Sequence, residues 1–573
     1  MRDPLAWILF ANVVLHGVGI WWGLPSSTGW DDDGVAPRDF LPGVVETFRW
    51  GSHYTYPPLH LVLLTVLTLP VWVTALLRAR SLGAADLIAE FTKVPYMTAF
   101  SVVARATSVF MAVGIVYALY RLAEELWGRR AGLWAALVVT TNIVLNYYAH
   151  TSNLDVPYLF WATLALAEAT RAVARSEPRR MRTFAILAAL SICTKDQAYG
   201  LFVLSVPALV LAWVAIEGPS RARARGVVGE SALALVIATA LVLVIDGALF
   251  NPLGFRARLA FLTGAASRDH AVYPASPAGW AAVARDTLRF FDRYYPWPLT
   301  LPCLLGVGLA FGYPGGARSR NVALGALLPL AAALSFTLTF NMSARRTEHR
   351  FLLPQMLMFG VYGGAGTAWL VRDRRGARIA GPLVAALLIW AAWRAAAVDA
   401  AMLLDPRYDA ETWMRAHVRP VDSVETYGND AYLPRFPPEV TVTRVGPEPL
   451  SGRSVVPGIR EVRSPYGNIE ERRPRFIVLA DGWAWRYWDD KSFLREVGTA
   501  LAPEEVARER DIESRSYFRA LVQGRLSYRS AHVSEYTSSI MPVVDIHSST
   551  DKTIRIFERA DGAASGPSSE TAP

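Results

Sequence analysis

The chain has 573 residues, 53% hydrophobic and 19% charged, with a net charge of +9 and a mean hydropathy of +0.25. So few charges over this length exclude an ordinary soluble multidomain enzyme and point to a membrane protein. The basic residues lie in short loops between apolar runs, not in a patch interleaved with aromatics, which argues against nucleic-acid binding. Two cysteines, Cys193 and Cys303, are too few for a metal cluster or disulfide framework.

The first apolar run, "LAWILFANVVLHGVGIWW", is too long and aromatic for a signal-peptide core and lacks a small-residue cleavage site, so it is expected to stay as an anchor. Cytoplasmic loops carry the excess of Lys and Arg. "RAVARSEPRRMR", "RARAR", "ARSR", "RDRRGAR" and the weaker "RLAEELWGRR" are placed there. The spans between them then fall near 5–22, 105–121, 131–148, 155–173, 183–198, 199–216, 228–249, 297–312, 321–340, 351–371 and 379–398, about eleven helices. That parity puts the N-terminus in the cytoplasm and the C-terminal region outside, in a multi-pass protein of the inner or plasma membrane. The run Leu59 to Leu77 is long enough to span but is broken by Pro70. A crossing there would push "RAVARSEPRRMR" outside, so this run is expected as a helix or bent hairpin in the outer interface, within a first outer loop over 23–104.

Residues 1–400 are thus read as one membrane module. From about Asp405 the sequence turns mixed and polar, and 401–560 is expected to be an extracytoplasmic α/β domain. "VDSVETYG", "RPRFIVLADG" and "KTIRIFER" read as strands, and "DDKSFLREVGTALA" and "PEEVARERDIESRSYFRALVQG" as helices. The tail 561–573 has a disordered composition.

The same parity brings five groups to the outer face. "GWDDDGVAP" offers Asp31, Asp32 and Asp33, where one carboxylate can act as a general base. Asp155 in "HTSNLDVPYLF" is either a helix cap or a second working acid. Lys195 in "SICTKDQAYG" either pairs with Asp196 in a turn or serves a ligand, since an ionisable group near membrane depth is costly. Arg345, Arg346 and Arg350, with Glu348 and His349, form a cationic loop on the side where the orientation rule does not want one. An anionic phosphate is the simplest reason, and lipid headgroups in general are the alternative. "GSHYTYPPLHL", with His53, Tyr54, Tyr56 and His60, reads as aromatic anchoring at the interface rather than a metal site. There is no GxxxxGK[ST], GxSxG or strand-linked GxGxxG, so nucleotide-driven and serine-hydrolase chemistry have no support.

In their order these parts resemble the GT-C glycosyltransferases, in particular the family 39, protein mannosyltransferase-like group that includes bacterial aminoarabinose transferases. The matching stretches are "DDDGVAP" for the acidic pair of the first loop, "YTYPPLH", "ARATSV" with Arg105, "LWGRRAGLWAAL", "LDVP", Thr194–Lys195 and "RFLLP" from Arg350, over residues 1 to about 370. The resemblance implies a GT-C fold and a sugar moved from a polyprenyl-phosphate donor to a lipid, glycan or protein acceptor on the outer side, with inversion. It makes Asp33 or Asp32 the base. The family's usual second residue, Glu, is replaced by Gly34 in one alignment and by Asp33 in the other. Asp155 would be the second acid, and Lys195 and Arg350, with Arg345 and Arg346, would hold the lipid phosphate. Asp31, His53, Tyr56, Arg105, Glu348 and His349 make a secondary set of substrate contacts. The resemblance requires no cofactor and no resident metal, though a divalent cation is compatible with it. In the external domain Trp483, Trp485 and Trp488 are either sugar-stacking surfaces or core. The competing reading is a polytopic lipid or solute transporter or flippase, which would more often show paired broken helices in two halves.

Overall fold

The structure, a computed structural model, describes residues 3–560 except Thr28, Asp32, His53, 218–220, 265–270, 313–316, Glu348, 451–455, 489–511, 544–545, 548–549 and 551. The chain divides into two units, one of Met1–Ile20 with Asp33–Asp399 and one of Trp21–Asp32 with Ala400–Pro573.

Apolar backbone can satisfy its polar groups in lipid only by closing on itself as helix, and the first unit is helical throughout. Its helices are α1 (Pro4–Gly17), α2 (Phe40–Phe48), α3 (Leu59–Leu67), α4 (Leu69–Arg78), α5 (Ala84–Phe91), α6 (Val94–Trp127), α7 (Arg129–Thr140), α8 (Ile143–Ala149), α9 (Asp155–Arg175) and α10 (Arg180–Ile192). They continue with α11 (Tyr199–Phe202), α12 (Ser205–Glu217), α13 (Arg221–Ile245), α14 (Pro252–Thr263), α15 (Pro277–Arg289), α16 (Thr300–Phe311), α17 (Ala317–Phe336), α18 (His349–Leu370) and α19 (Arg374–Leu403). Every expected span overlaps helix, although α1 ends at Gly17, short of 22, and the spans 131–148, 183–198 and 199–216 are each interrupted. Among the described residues five helices are long and apolar enough to cross a membrane, or up to seven if the bent pairs α3–α4 and α7–α8 each form one span. The expectation of eleven rests on the loop charges for the rest, since α1 and Trp297–Phe311 are shorter apolar helices.

The run around Pro70 bends by 60° between α3 and α4. Proline has no N–H to continue the ladder, so the helix restarts there. Thr68 covers the break, its hydroxyl donating to Leu64 O at 2.7 Å and accepting from Trp72 Nε1 at 3.0 Å. The arginines of "RAVARSEPRRMR" are largely neutralised in place: Arg171 and Arg180 pair with Glu168, Arg175 with Glu125 and Arg182 with Glu230.

In the second unit a six-stranded sheet has the order β3-β2-β1-β4-β6-β5. The strands are β1 (Ser423–Thr426), β2 (Thr441–Gly446), β3 (Ile459–Arg463), β4 (Phe476–Ala480), β5 (Tyr528–Ser534) and β6 (Ile554–Arg559). β1 runs parallel to β2 and β4, and β2 to β3, while β6 is antiparallel to β4 and β5. β4, "FIVLA", is buried at every position, as a central strand covered on both faces must be. Phe476, Val478 and Ala480 join the core with Ala410 and Met414 of α20 (Pro406–His417). Ile477 and Leu479 join the opposite core with Tyr427, Tyr466 and Phe518, the last on α21 (Ile512–Val522). The expected fold class, a helical membrane module with a C-terminal α/β domain, is borne out. β2, β3, β5 and α20 were not anticipated. The expected helix over "DDKSFLREVGTALA" and the tail 561–573 lie outside the described residues.

Helices α16 and α18 pack backbone on backbone. A Cβ added at Gly306 would lie 1.9 Å from Tyr362 O, and one at Gly366 1.9 Å from Pro302 O. Small residues allow this approach, which in lipid supplies much of the packing energy. Gly366→Val should therefore destabilise the protein by about 1–3 kcal/mol, the usual cost of overpacking. Gly308→Ala, where nothing lies within 4 Å, should be neutral; thermal unfolding in detergent measures both.

Candidate active site

One apolar cluster brings two acidic loops together. Val35, two residues after Asp33, and Leu154, just before Asp155, are buried with Phe40, Leu61, Leu64, Trp72, Phe100 and Ala104. Backbone and hydroxyl contacts then join the loops. Val35 N–H donates to Ser152 O at 3.3 Å, and Ser152 Oγ donates to Val35 O at 3.1 Å. Asn153 ties both acids: its Nδ2 donates to Asp33 O at 3.0 Å, and its Oδ1 accepts from Asp155 N–H at 2.7 Å. Asn153 and Gln197 are site residues that sequence reading missed. The signal for Asn153 was its place two residues before an acid at a helix start, the usual position for a side chain that caps backbone N–H.

Each acid has its own cation. Arg350 Nη1 lies 2.5 Å from Asp33 Oδ1, both side chains about one-fifth to one-quarter exposed (21% and 24%). Lys195 Nζ lies 2.7 Å from Asp155 Oδ1, and Asp155 is wholly buried. Gln197 Nε2 donates to the same oxygen at 2.9 Å, and Lys195 also stands 5.9 Å from the centre of the Tyr158 ring. Asp155 is the first residue of α9, yet its carboxylate makes no capping bond; that role belongs to the Asn153 side chain. The Lys195–Asp196 turn is also not formed, because Asp196 pairs with Arg258.

The remaining expected residues divide. Desolvation pushes the Tyr56 phenol above its ordinary range, opposed by the Arg350 charge and reinforced by Asp33 and Asp155, so Tyr56 belongs to the same electrostatic neighbourhood while 42% exposed. Arg346 stacks on Phe351, and Arg345, in the left-handed region, donates to Tyr273 O at 3.0 Å. Arg350, which pairs with Asp33, also stands over the Phe351 ring, at 4.9 Å from its centre. The cationic loop is shaped by Asn341, whose Nδ2 donates to Arg346 O and Phe351 O, and whose Oδ1 accepts from Gln355 at 2.6 Å. Arg105 is buried and donates to Ile20 O at 2.8 Å. Tyr54 and His60, expected as interface anchors, are buried within the protein. Asp32, His53 and Glu348, and the His349 side chain, lie outside the described residues, and Asp31 is grouped with the second unit. In that unit Trp483 and Trp488 pack on the core with Phe518 and Tyr466, which favours the core reading for both.

Next to the Tyr56 turn, an apolar groove of about 550 Å³ is lined by Phe48, Leu59, Val62, Val244, Ile245 and Phe250. Leu59 N–H donates to Cys193 O at 3.1 Å, two residues before Lys195. Among the described residues no three His, Cys, Asp or Glu side chains converge as metal ligands.

The two ion pairs differ in burial and so in what their loss costs. Lys195→Met strands a buried carboxylate and should cost about 3–5 kcal/mol, while Arg350→Gln breaks a pair that still reaches solvent and should cost less, about 1 kcal/mol. Asp155→Leu added to Lys195→Met should recover most of the loss; denaturant unfolding of the three variants provides the comparison.

No curated protein sequence matches the chain. Residues 79–245 match the family model described as dolichyl-phosphate-mannose-protein mannosyltransferase. Among solved structures the chain is similar to ArnT from Cupriavidus metallidurans in the apo state, at 14% identity and TM-score 0.48, covering 98% of this chain and 99% of that one. It is also similar to the same protein bound to undecaprenyl phosphate, at 13% identity and TM-score 0.47 over 98% and 99%. A third is the archaeal oligosaccharyltransferase AglB from Archaeoglobus fulgidus, in complex with an inhibitory peptide and a dolichol-phosphate, at 11% identity and TM-score 0.45 over 97% and 88%. The resemblance read from the ordered motifs is borne out by the family match over residues 79–245, the stretch that carries Arg105, Asp155 and Lys195.

Proposed function

We propose that the chain is a membrane glycosyltransferase that moves a sugar from a polyprenyl-phosphate donor to an acceptor hydroxyl on a lipid, glycan or protein at the outer face of the membrane. The observation that carries this reading is the pair of joined acidic loops, each carboxylate with its own cation, beside an apolar groove. The family description over residues 79–245, which names a dolichyl-phosphate-linked mannose, supports the donor class.

In this reading Asp33 is the base. The acceptor oxygen attacks the anomeric carbon from the face opposite the phosphate, its proton passes to Asp33, and the carbon–oxygen bond to phosphate breaks. The bonding electrons leave on the phosphate oxygen, so the products are the inverted glycoside and polyprenyl phosphate. An Asp33 carboxylate occupied by Arg350 is not free to take that proton. A lipid phosphate drawing Arg350 away would both bind the donor and release the base. Planar guanidinium suits a phosphate, and Lys195 adds a second positive charge where negative charge grows. Asp155 holds Lys195 in place. The apolar groove takes the first isoprene units of the donor.

The test is transfer by the purified protein in lipid nanodiscs, given a radiolabelled polyprenyl-phosphate sugar and a membrane extract as acceptor. Asp33→Asn should lower turnover by about 10²–10⁴, the usual worth of a positioned general base, with little change in donor KM. Arg350→Ala and Lys195→Ala should raise donor KM. Full turnover by Asp33→Asn would remove the base assignment, and donor binding without transfer by the wild type would favour a flippase.

A further inference from the structure

The two cations read as phosphate ligands stand on different elements, Lys195 just before α11 and Arg350 in the first turn of α18. The Arg350 charge is felt at Lys195 and opposes it. Both elements are bonded to the end of α17, where the helix widens into a π turn over Thr337–Asn341 and Met342 N–H reaches Thr337 O, five residues back. Such turns are rare, and they concentrate at functional sites.

On the Lys195 side, Tyr199 OH donates to Thr339 O at 3.2 Å, and Thr339 Oγ1 donates to Gly200 O at 3.3 Å. Ser335 Oγ donates to the same Gly200 O at 2.5 Å and accepts from Leu204 N–H at 2.9 Å. It stands in for the bond that Leu204 and Gly200 would make in a continuous helix. The approach is close: a Cβ at Gly200 would lie 3.1 Å from Phe336 and 3.2 Å from Phe340.

On the Arg350 side, Gln355 reaches both ends of the turn, its Nε2 donating to Thr337 Oγ1 at 3.1 Å and to Asn341 Oδ1 at 2.6 Å. Asn341 must accept there, because its own amide hydrogens go to Arg346 O and Phe351 O, each at 2.9 Å, on either side of Arg350 in the chain. Gln355 is 3% exposed, and among the described residues its Oε1 has no partner. A buried amide oxygen left unpaired is costly, so a residue kept there for packing alone would be Leu or Met. The N–H groups of Gln355 are what the turn uses.

We propose that this π turn is the bracket that sets the spacing of Lys195 and Arg350, with Tyr199 and Gln355 as its positioning residues. The proposal rests on the reading that both cations bind the donor phosphate. The ion pair with Asp33 cannot place Arg350 in the bound state, because Arg350 must leave Asp33 to reach the phosphate. Its position then follows from the backbone of α18. Two cations that share one phosphate need a fixed separation, and a turn bonded to both elements supplies it.

The test is donor KM and kcat of the full-length protein in nanodiscs, with Gln355→Met and Tyr199→Phe made alone and in the Arg350→Ala and Lys195→Ala backgrounds. Each single variant should raise donor KM about 3–10-fold, the worth of one or two lost hydrogen bonds, with kcat within about twofold. A residue that acts through a partner loses its effect when the partner is gone. Gln355→Met should therefore add nothing to Arg350→Ala, and Tyr199→Phe nothing to Lys195→Ala. Unchanged KM in either single variant would overturn the proposal. So would a full KM rise in those backgrounds, because the role would then be folding. If Gln355→Met yields no folded protein, Tyr199→Phe, which removes one hydroxyl from an exposed residue, decides alone. Failure of the phosphate reading shows separately, as an unchanged donor KM in Arg350→Ala and Lys195→Ala themselves, and the proposal would fall with it.

Discussion

The constraint on which the active region depends is that the Asp155 carboxylate is fully buried beside apolar helices, where a buried charge is costly unless a partner stands against it. Lys195 is that partner. Lys195 stands in the break between α10 and α11, beside the start of α9, and removing it would leave a buried charge without its partner, at large cost. Once that pair forms, Asn153 links Asp155 to Asp33, and Arg350 at the head of α18 closes on Asp33 from the other side. Segments more than 300 residues apart in sequence thereby share a few ångströms of space. The apolar core, through Val35, Leu154 and Phe100, sets where these charged groups stand.

Much of this was legible in the sequence because membrane segments obey strong rules. Runs of apolar residues must be helical in lipid, and each expected span overlaps helix. A charged residue close to membrane depth is costly enough to mark a site, which singled out Lys195. Three acids in a row, an acid at a helix mouth and a cationic loop also stood out. The bend before Pro70 followed from the missing N–H alone.

What stayed hidden depended on contacts between distant residues. Asp155 at a helix start reads as a cap, and only the structure turns its carboxylate toward Lys195. Arg345, Arg346 and Arg350 are alike in sequence, yet in the structure Arg350 pairs with Asp33, Arg346 and Arg350 both stand over Phe351, and Arg345 donates to Tyr273 O. The strands β2 and β3 are short, and "IREVR" carries as much charge as apolar surface, so propensity has little to work on. The fastening of Trp22 to Asp405 joins residues 383 apart. No local pattern announces it, and nothing in "GWDDDGVAP" says that its first residues and Asp33 would belong to different units.

Asp33 and Arg350 are paired in this structure, and the account requires them to part when a lipid phosphate arrives. A cryo-EM structure of the protein in nanodiscs with polyprenyl phosphate bound measures this directly. The account predicts the Arg350 guanidinium on the phosphate, with Lys195 beside it and the Asp33 carboxylate released toward open space. Phosphate bound elsewhere, with Arg350 still closed on Asp33, would contradict it.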